Sequence, residues 1–199
     1  MTTGLPKFRR ILAAAGLLFL AGCTISNNDF VKGGPPESGV AIRNGNVYVY
    51  TFLDLRDGFF GPTMLAAVNQ QIVSKLGAAG VNAKVLAFKA SETGRYFPVT
   101  QASADIPVDK VVAANKADET AFGARYRLIV FPLSTETQGA WFVYDVRWEL
   151  IDVQTGRIVW TVKSHGSRLN MWGSDEQPQD RAATVVDSFV GQLRKYSLI

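Results

Sequence analysis

The chain reads as an α/β (α+β) sandwich, a mixed sheet of about five strands with helices packed on it. Three observations predict this class. Val47–Leu53 is β-branched and aromatic at both parities, as in a strand covered on both faces. Leu65, Val68, Ile72 and Leu76 then recur every three or four residues, a helical stripe. Trp141–Asp152 alternates strictly and is followed by a turn and a second strand.

Taken in order, the elements run β-α-β-(α)-β-β-β-α. After the strand at 47–53, Gly61-Pro62 marks a helix start, since proline suits the first turn, and Gly77 and Gly80 close that helix. Asn82–Phe88 reads as the second strand, with Val85 and Leu86 at its centre. Val108–Phe122 reads as a helix with Val108, Val111, Val112 and, at its end, Phe122 as inward candidates, its stripe interrupted by Asn115 and Asp118. Arg127–Leu133 is an apolar strand that Pro132 and the polar run 134–138 are expected to end. In Trp141–Asp152, Phe142, Tyr144, Val146, Trp148 and Leu150 share one face, and Asp145, Arg147 and Glu149 the other. Asp152-Val153-Gln154-Thr155-Gly156 is turn chemistry, and Arg157–His165 returns with Ile158, Trp160 and Val162 on one face. A last helix buries Ala182, Val185 or Val186, Phe189, Val190 and Leu193.

The 199 residues suit one domain of ordinary size, and 47% hydrophobic residues supply a core, which excludes wholesale disorder. A single cysteine excludes an intramolecular disulfide, and a single histidine excludes a His-rich metal site. The formal charge of +4 invites a nucleic-acid partner at first sight. Three of the 21 basic residues, Lys7, Arg9 and Arg10, precede the apolar run 11–20, and residues 1–22 hold no acidic ones. Removing that leader leaves 18 basic against 17 acidic side chains, a charge of +1, and no nucleic-acid partner is expected.

The leader has a basic start, an apolar run of about 10–12 residues, too short to span a bilayer, and Leu20-Ala21-Gly22-Cys23. This last tetrapeptide resembles the lipobox of bacterial lipoproteins. The resemblance implies cleavage between Gly22 and Cys23, a diacylglycerol on the Cys23 thiol, and an acyl group on the new amino terminus. The absence of aspartate just after Cys23 implies, by the same resemblance, the outer membrane and a periplasm-facing domain. The division expected is a signal peptide over 1–22, a lipidated cysteine and flexible tether over 23–45, and a periplasmic domain over 46–199. The tether, with Gly33-Gly34-Pro35-Pro36 and Ser38-Gly39, would reach about 25–28 Å. The alternative is a loop docked on the domain through Phe30, Val31, Val40 and Ile42.

Val47–Phe88 and Tyr126–His165, with the hairpin Trp148-Glu149-Leu150-Ile151-Asp152-Val153-Gln154-Thr155-Gly156-Arg157-Ile158-Val159-Trp160, resemble curli-export and penicillin-binding-protein-activator lipoproteins. The resemblance implies a domain that works by contact with other envelope proteins. No pair of strands suited to a curli-type transmembrane barrel is evident, and no partner-contact residue carries over.

Catalytic and ligand chemistry is sparse. His165 is the only histidine available as a general base, with Ser164 and Ser167 nearby. A strand-end histidine in a polar stretch reads as a surface residue, with an envelope hydrolase as the third-ranked alternative. Asp54, Arg56 and Asp57 lie between a strand and a helix start, where α/β proteins bind ligands. They read as a solvated loop, or alternatively as the edge of a small-ligand or metal site. Trp141, Met171 and Trp172 are candidates for a partner surface, against the alternative of tucked loop residues. No cofactor or resident metal is expected. The reading is a membrane-anchored, non-enzymatic binding or assembly module for cell-envelope components.

Overall fold

The computed structural model describes residues 30–54, 62–89, 106–138, 141–169 and 177–199. The elements are β1 (Phe30–Gly33), β2 (Asn46–Asp54), α1 (Pro62–Ala78), β3 (Asn82–Lys89), α2 (Val108–Ala114), α3 (Lys116–Ala121), β4 (Tyr126–Gln138), β5 (Trp141–Asp152), β6 (Ile158–Leu169) and α4 (Pro178–Lys195). The strands form one mixed sheet in the order β1-β6-β5-β4-β2-β3. β2 pairs in parallel with β3 and β4, and the remaining neighbours are antiparallel. The fold is the α+β sandwich that the hydrophobic patterns predict, with one additional strand, β1.

β2 shows why its sequence is apolar at both parities. Val47, Val49 and Leu53 point into a core under α1 and α4, and Tyr48, Tyr50 and Phe52 into a second cluster on the opposite face. In the first core, Phe189 of α4 stacks on Trp148 of β5 with centroids 4.2 Å apart and planes 8° from parallel. Trp148 is also satisfied as a donor, its Nε1 bonding Ser164 Oγ at 2.9 Å. All five helical positions predicted inward on α4 are buried, and both Val185 and Val186 are among them. Gln177 and Asp180 form a reciprocal capping box at its start.

Four expectations are corrected. Residues 30–45 are not free tether. Phe30–Gly33 pairs with β6, opposite His165 to Val162. Beyond it, Trp160 Nε1 donates to the Gly34 carbonyl at 3.0 Å, Glu37 N to Val159 O at 2.9 Å, and Ile42 N to Leu198 O at 2.8 Å. Buried Ile42 anchors this segment, as the alternative reading allowed. Gly33 packs closely here: a Cβ at this position would lie 3.0 Å from Val162 Cγ2, tighter than an ordinary contact. The helix expected over Val108–Phe122 is two short ones, broken at Asn115, whose side chain bonds the Val111 carbonyl at 2.8 Å.

Pro132 does not end β4. The ladder absorbs it with a register shift between Pro132 and Ser134 and runs on to Gln138. A similar irregularity at Leu150/Ile151 changes the parity of β6, so Val159 is buried while Ile158, predicted inward, is 49% exposed. The β5–β6 turn is as read: Gly156 sits at φ 69°, and Asp152 Oδ1 accepts from the backbone N–H of Gln154 and Thr155, both at 2.9 Å. Those bonds hold the Asp152 carboxyl below the usual carboxylate range.

Candidate functional site

Strand direction decides which residues share an end of the sheet. β2, β3, β4 and β6 all finish at one end, where β1 and β5 begin. Asp54, the last residue of β2, lies there in register with Lys89 of β3. Trp141, the first residue of β5, is paired with Gln138 and Leu169 at the same end. Arg56, Asp57, Met171, Trp172, Gly22 and Cys23 lie outside the described residues. In sequence, residues 55–57 follow β2, 170–172 follow β6, and Cys23 precedes β1 by seven positions. The candidates scattered through the sequence therefore belong to chain segments that leave or enter the sheet at this one end.

His165 lies near that end, opposite Phe30 on one side and Asp145 on the other. Its Nδ1 is 2.7 Å from Asp145 Oδ1, and Lys163 Nζ is 2.9 Å from Asp145 Oδ2. On the same strip Arg147 lies over the Phe131 ring, 4.2 Å from its centroid, with its Nε 3.1 Å from Glu149. An aspartate that orients an imidazole supplies two of the three members of a hydrolase triad. Here the carboxylate is shared with a lysine, and Ser164 is turned to the opposite face as the acceptor for Trp148. The strip is a row of mutually compensated charges on β5 and β6. Among the described residues no three His, Cys, Asp or Glu side chains are grouped to hold a metal ion. No described helix is long and apolar enough to cross a membrane.

Sequence reasoning missed a second polar cluster, at the other end of the strands. The Tyr48 hydroxyl donates to Asp118 Oδ2, and Lys84 Nζ donates to Asp118 Oδ1 at 2.7 Å. Beside them Glu119 is fully buried and receives Arg127 in a two-pronged pair, Nε to Oε1 at 2.7 Å and Nη2 to Oε2 at 2.5 Å. Lys84, Tyr48 and Arg127 are direct neighbours across β3, β2 and β4, so the sheet register itself builds the cluster. Lys84 and Tyr48 hold the Asp118 carboxyl below its ordinary range. Burial, with the negative charge of Glu119 next, pushes the Tyr50 phenol up to about 12. The available signal was weak: Arg127 is a lone charge opening an apolar strand, but Glu119 stands beside Asp118 and Lys116 in the polar helix Lys116–Ala121. Their spacing alone does not show that they meet. A third feature, a shallow groove of about 460 Å³, runs between α1 and the edge strand β3, lined by Asn69, Gln70, Val73, Ser74, Val85 and Ala87.

No protein-family model matches the chain, and no curated protein does. Solved structures similar in outline include the PelC dodecamer from Paraburkholderia phytofirmans, at 16% identity and a TM-score of 0.48, covering 81% of this chain and 94% of that one. Lipoprotein GNA1162 from Neisseria meningitidis is similar at 17% identity and a TM-score of 0.43, covering 76% and 99%. Protein XCC0632 from Xanthomonas campestris follows at 11% identity and 0.38, covering 81% and 93%. These are likenesses of overall fold to bacterial proteins, one of them a lipoprotein.

Proposed function

We propose that the chain is a bacterial outer-membrane lipoprotein, cut before Cys23 and anchored there by acyl chains. Its periplasm-facing α/β domain is a non-enzymatic binding or assembly module for other envelope components. The observation that carries this reading is the position of the one cysteine. It stands directly after an apolar run, behind Ala21 and Gly22, where a lipidating enzyme needs a small, extended approach and a thiol. The pairing of the polar side chains supports a module that works by contact. Asp145 is held by His165 and Lys163, Asp118 by Tyr48 and Lys84, and Glu119 by Arg127.

The test is mass spectrometry and fractionation of the full chain expressed in a bacterium. The wild type is expected with the membranes, its amino-terminal peptide beginning at Cys23 and carrying acyl chains. Cys23→Ala is expected in the soluble periplasmic fraction or uncleaved. A wild-type protein with an unmodified Cys23 sinks the anchor. In-cell crosslinking of the anchored protein then tests the contact function, which fails if no envelope protein is captured reproducibly above a control lipoprotein.

A further inference from the structure

We infer that the end of the sheet where β4 stops and β5 starts, at Gln138, Trp141, Phe142 and Leu169, rests in the headgroup layer of the membrane that holds Cys23. The inference builds on the proposed lipidation of Cys23 and adds the orientation and the lipid contact. Three observations carry it.

The first is the small number of residues between Cys23 and the sheet. Because Phe30 is already paired in the sheet, only residues 24–29 separate it from Cys23. Seven peptide steps span at most about 25 Å fully extended. The 22-residue tether read from composition would have let the domain turn freely beneath the membrane.

The second is direction. β1 runs antiparallel to β6, with Phe30 opposite His165 and Gly33 opposite Val162. The chain before Phe30 therefore arrives from the side toward which β6 proceeds to Leu169. From the His165 row to the Leu169 row is about 14 Å of strand, well within the reach of Cys23. In the other direction, the Ile158 row lies about 24 Å away. Cys23 attains that level only if every intervening residue is stretched back along the sheet, which leaves no length to clear the turn at Asp152–Gly156.

The third is composition. Outside the shared sheet, β4, β5 and β6 continue past the Phe30 row as a three-strand extension with Thr137, Phe142 and Arg168 in one row and Gln138, Trp141 and Leu169 in the next. Trp141, Phe142 and Leu169 are apolar or amphipathic, Gln138 is uncharged, and Arg168 is the cation one row behind them. Tryptophan near the tip and arginine just behind it match the depth profile of a phospholipid interface. The opposite end, Asp152–Ile158, carries Asp152, Gln154, Thr155 and Arg157 beside Val153 and the half-exposed Ile158, has no aromatic residue, and faces away from the membrane in this orientation.

The test uses full-length lipidated protein reconstituted in vesicles of phosphatidylethanolamine and phosphatidylglycerol, with the acylation of Cys23 verified by mass. Gln138→Cys and Thr155→Cys carry an environment-sensitive fluorophore, and quenching by headgroup-level spin-labelled lipids is read at each. Quenching roughly threefold or more stronger at position 138 than at 155 is expected for a tip in the interface. Equal quenching at both positions overturns the orientation while leaving the lipid anchor intact. An unacylated Cys23 overturns the anchor and this inference together. Solvent shielding at 138 without lipid quenching assigns the tip to a second copy or another protein, and also overturns it. Should the labelled variants misfold, hydrogen exchange of the unmodified lipidated protein gives the same decision. Backbone amides around Thr137 and Phe142 are expected to slow in vesicles relative to the Cys23→Ala protein, while those around Thr155 stay unchanged; no difference refutes the contact.

Discussion

Glu119 is a carboxylate with no exposed surface, and its partner Arg127 has a side chain only 14% exposed. Removing one member of such a pair strands the other charge in a low-dielectric setting, at about 3–5 kcal/mol. Glu119→Leu is therefore expected to lower the urea midpoint sharply, and Glu119→Leu with Arg127→Met to recover most of the loss. Equal losses in the single and double variants would refute an electrostatic role for the pair. The neighbouring phenols make a second prediction. Tyr50 is raised to about 12, chiefly by burial, and Tyr48 is raised by burial and by its bond to Asp118. In the unfolded chain tyrosine titrates near 10. Below pH 10 both states keep the proton and stability is unaffected. Between about 10 and 12 the unfolded state releases protons first, so stability falls as pH rises. Tyr50→Phe is expected to flatten part of that alkaline decline in a denaturation series, and an unchanged slope would contradict it. Asp118 works in the other sense, its contribution present above the usual carboxylate pKa and lost as pH falls. None of these pairings was legible beforehand, because residues 8 to 70 positions apart meet only through the sheet register.

At the scale of the element, β1 packs tightly on β6 at Gly33. A Cβ on Gly33 would meet Val162 Cγ2 at 3.0 Å and the Thr161 carbonyl at 3.1 Å. Gly33→Val is expected to peel β1 from β6, raising amide exchange along Phe30–Gly33 and the facing part of β6 while the centre of β2 stays protected. Unchanged exchange in β6 would show that the strand tolerates the substitution. The long elements were legible because each carries a period: α4 by its five inward positions, β5 by strict alternation, and the β5–β6 turn by Asp152 and Gly156. Element ends and breaks were not. β4 runs through Pro132, α2 and α3 part at Asn115, and Ile158 changes sides, each decided by a hydrogen bond or one-residue shift that hydropathy does not encode. Four residues of strand in β1 are too short for any period, and its Gly-Pro surroundings resemble a linker.

At the scale of the whole molecule, the described residues form two apolar layers divided by one sheet, and Phe189 sits where the larger layer joins α4 to β5 and β6. Its ring stacks on Trp148 and reaches Trp160 at 6.0 Å. Phe189→Ala opens a cavity at that junction, at about 3–5 kcal/mol. A single unfolding transition at lower denaturant is expected, coincident by tryptophan fluorescence and circular dichroism; two separated transitions would mean that α4 is not integral to the cooperative unit. The same sheet gathers the ends of β2, β3, β4 and β6 beside the entry of β1. On the sequence alone, the Asp54–Asp57 loop, Trp141 and Cys23 are unrelated positions; topology puts the described members of that set at one end. What the sequence determined by itself was the α+β class and its major helices and strands, since hydrophobic period is a property of neighbouring residues; the motif Leu20–Cys23, on which the proposed lipidation rests, is a local signal of the same kind. The tertiary structure alone decided the buried charge pairs, the sixth strand and its start at Phe30, seven positions after Cys23. Each of these depends on which distant segments pair, and that choice is made by the packing energy of the whole sheet rather than by any stretch of it.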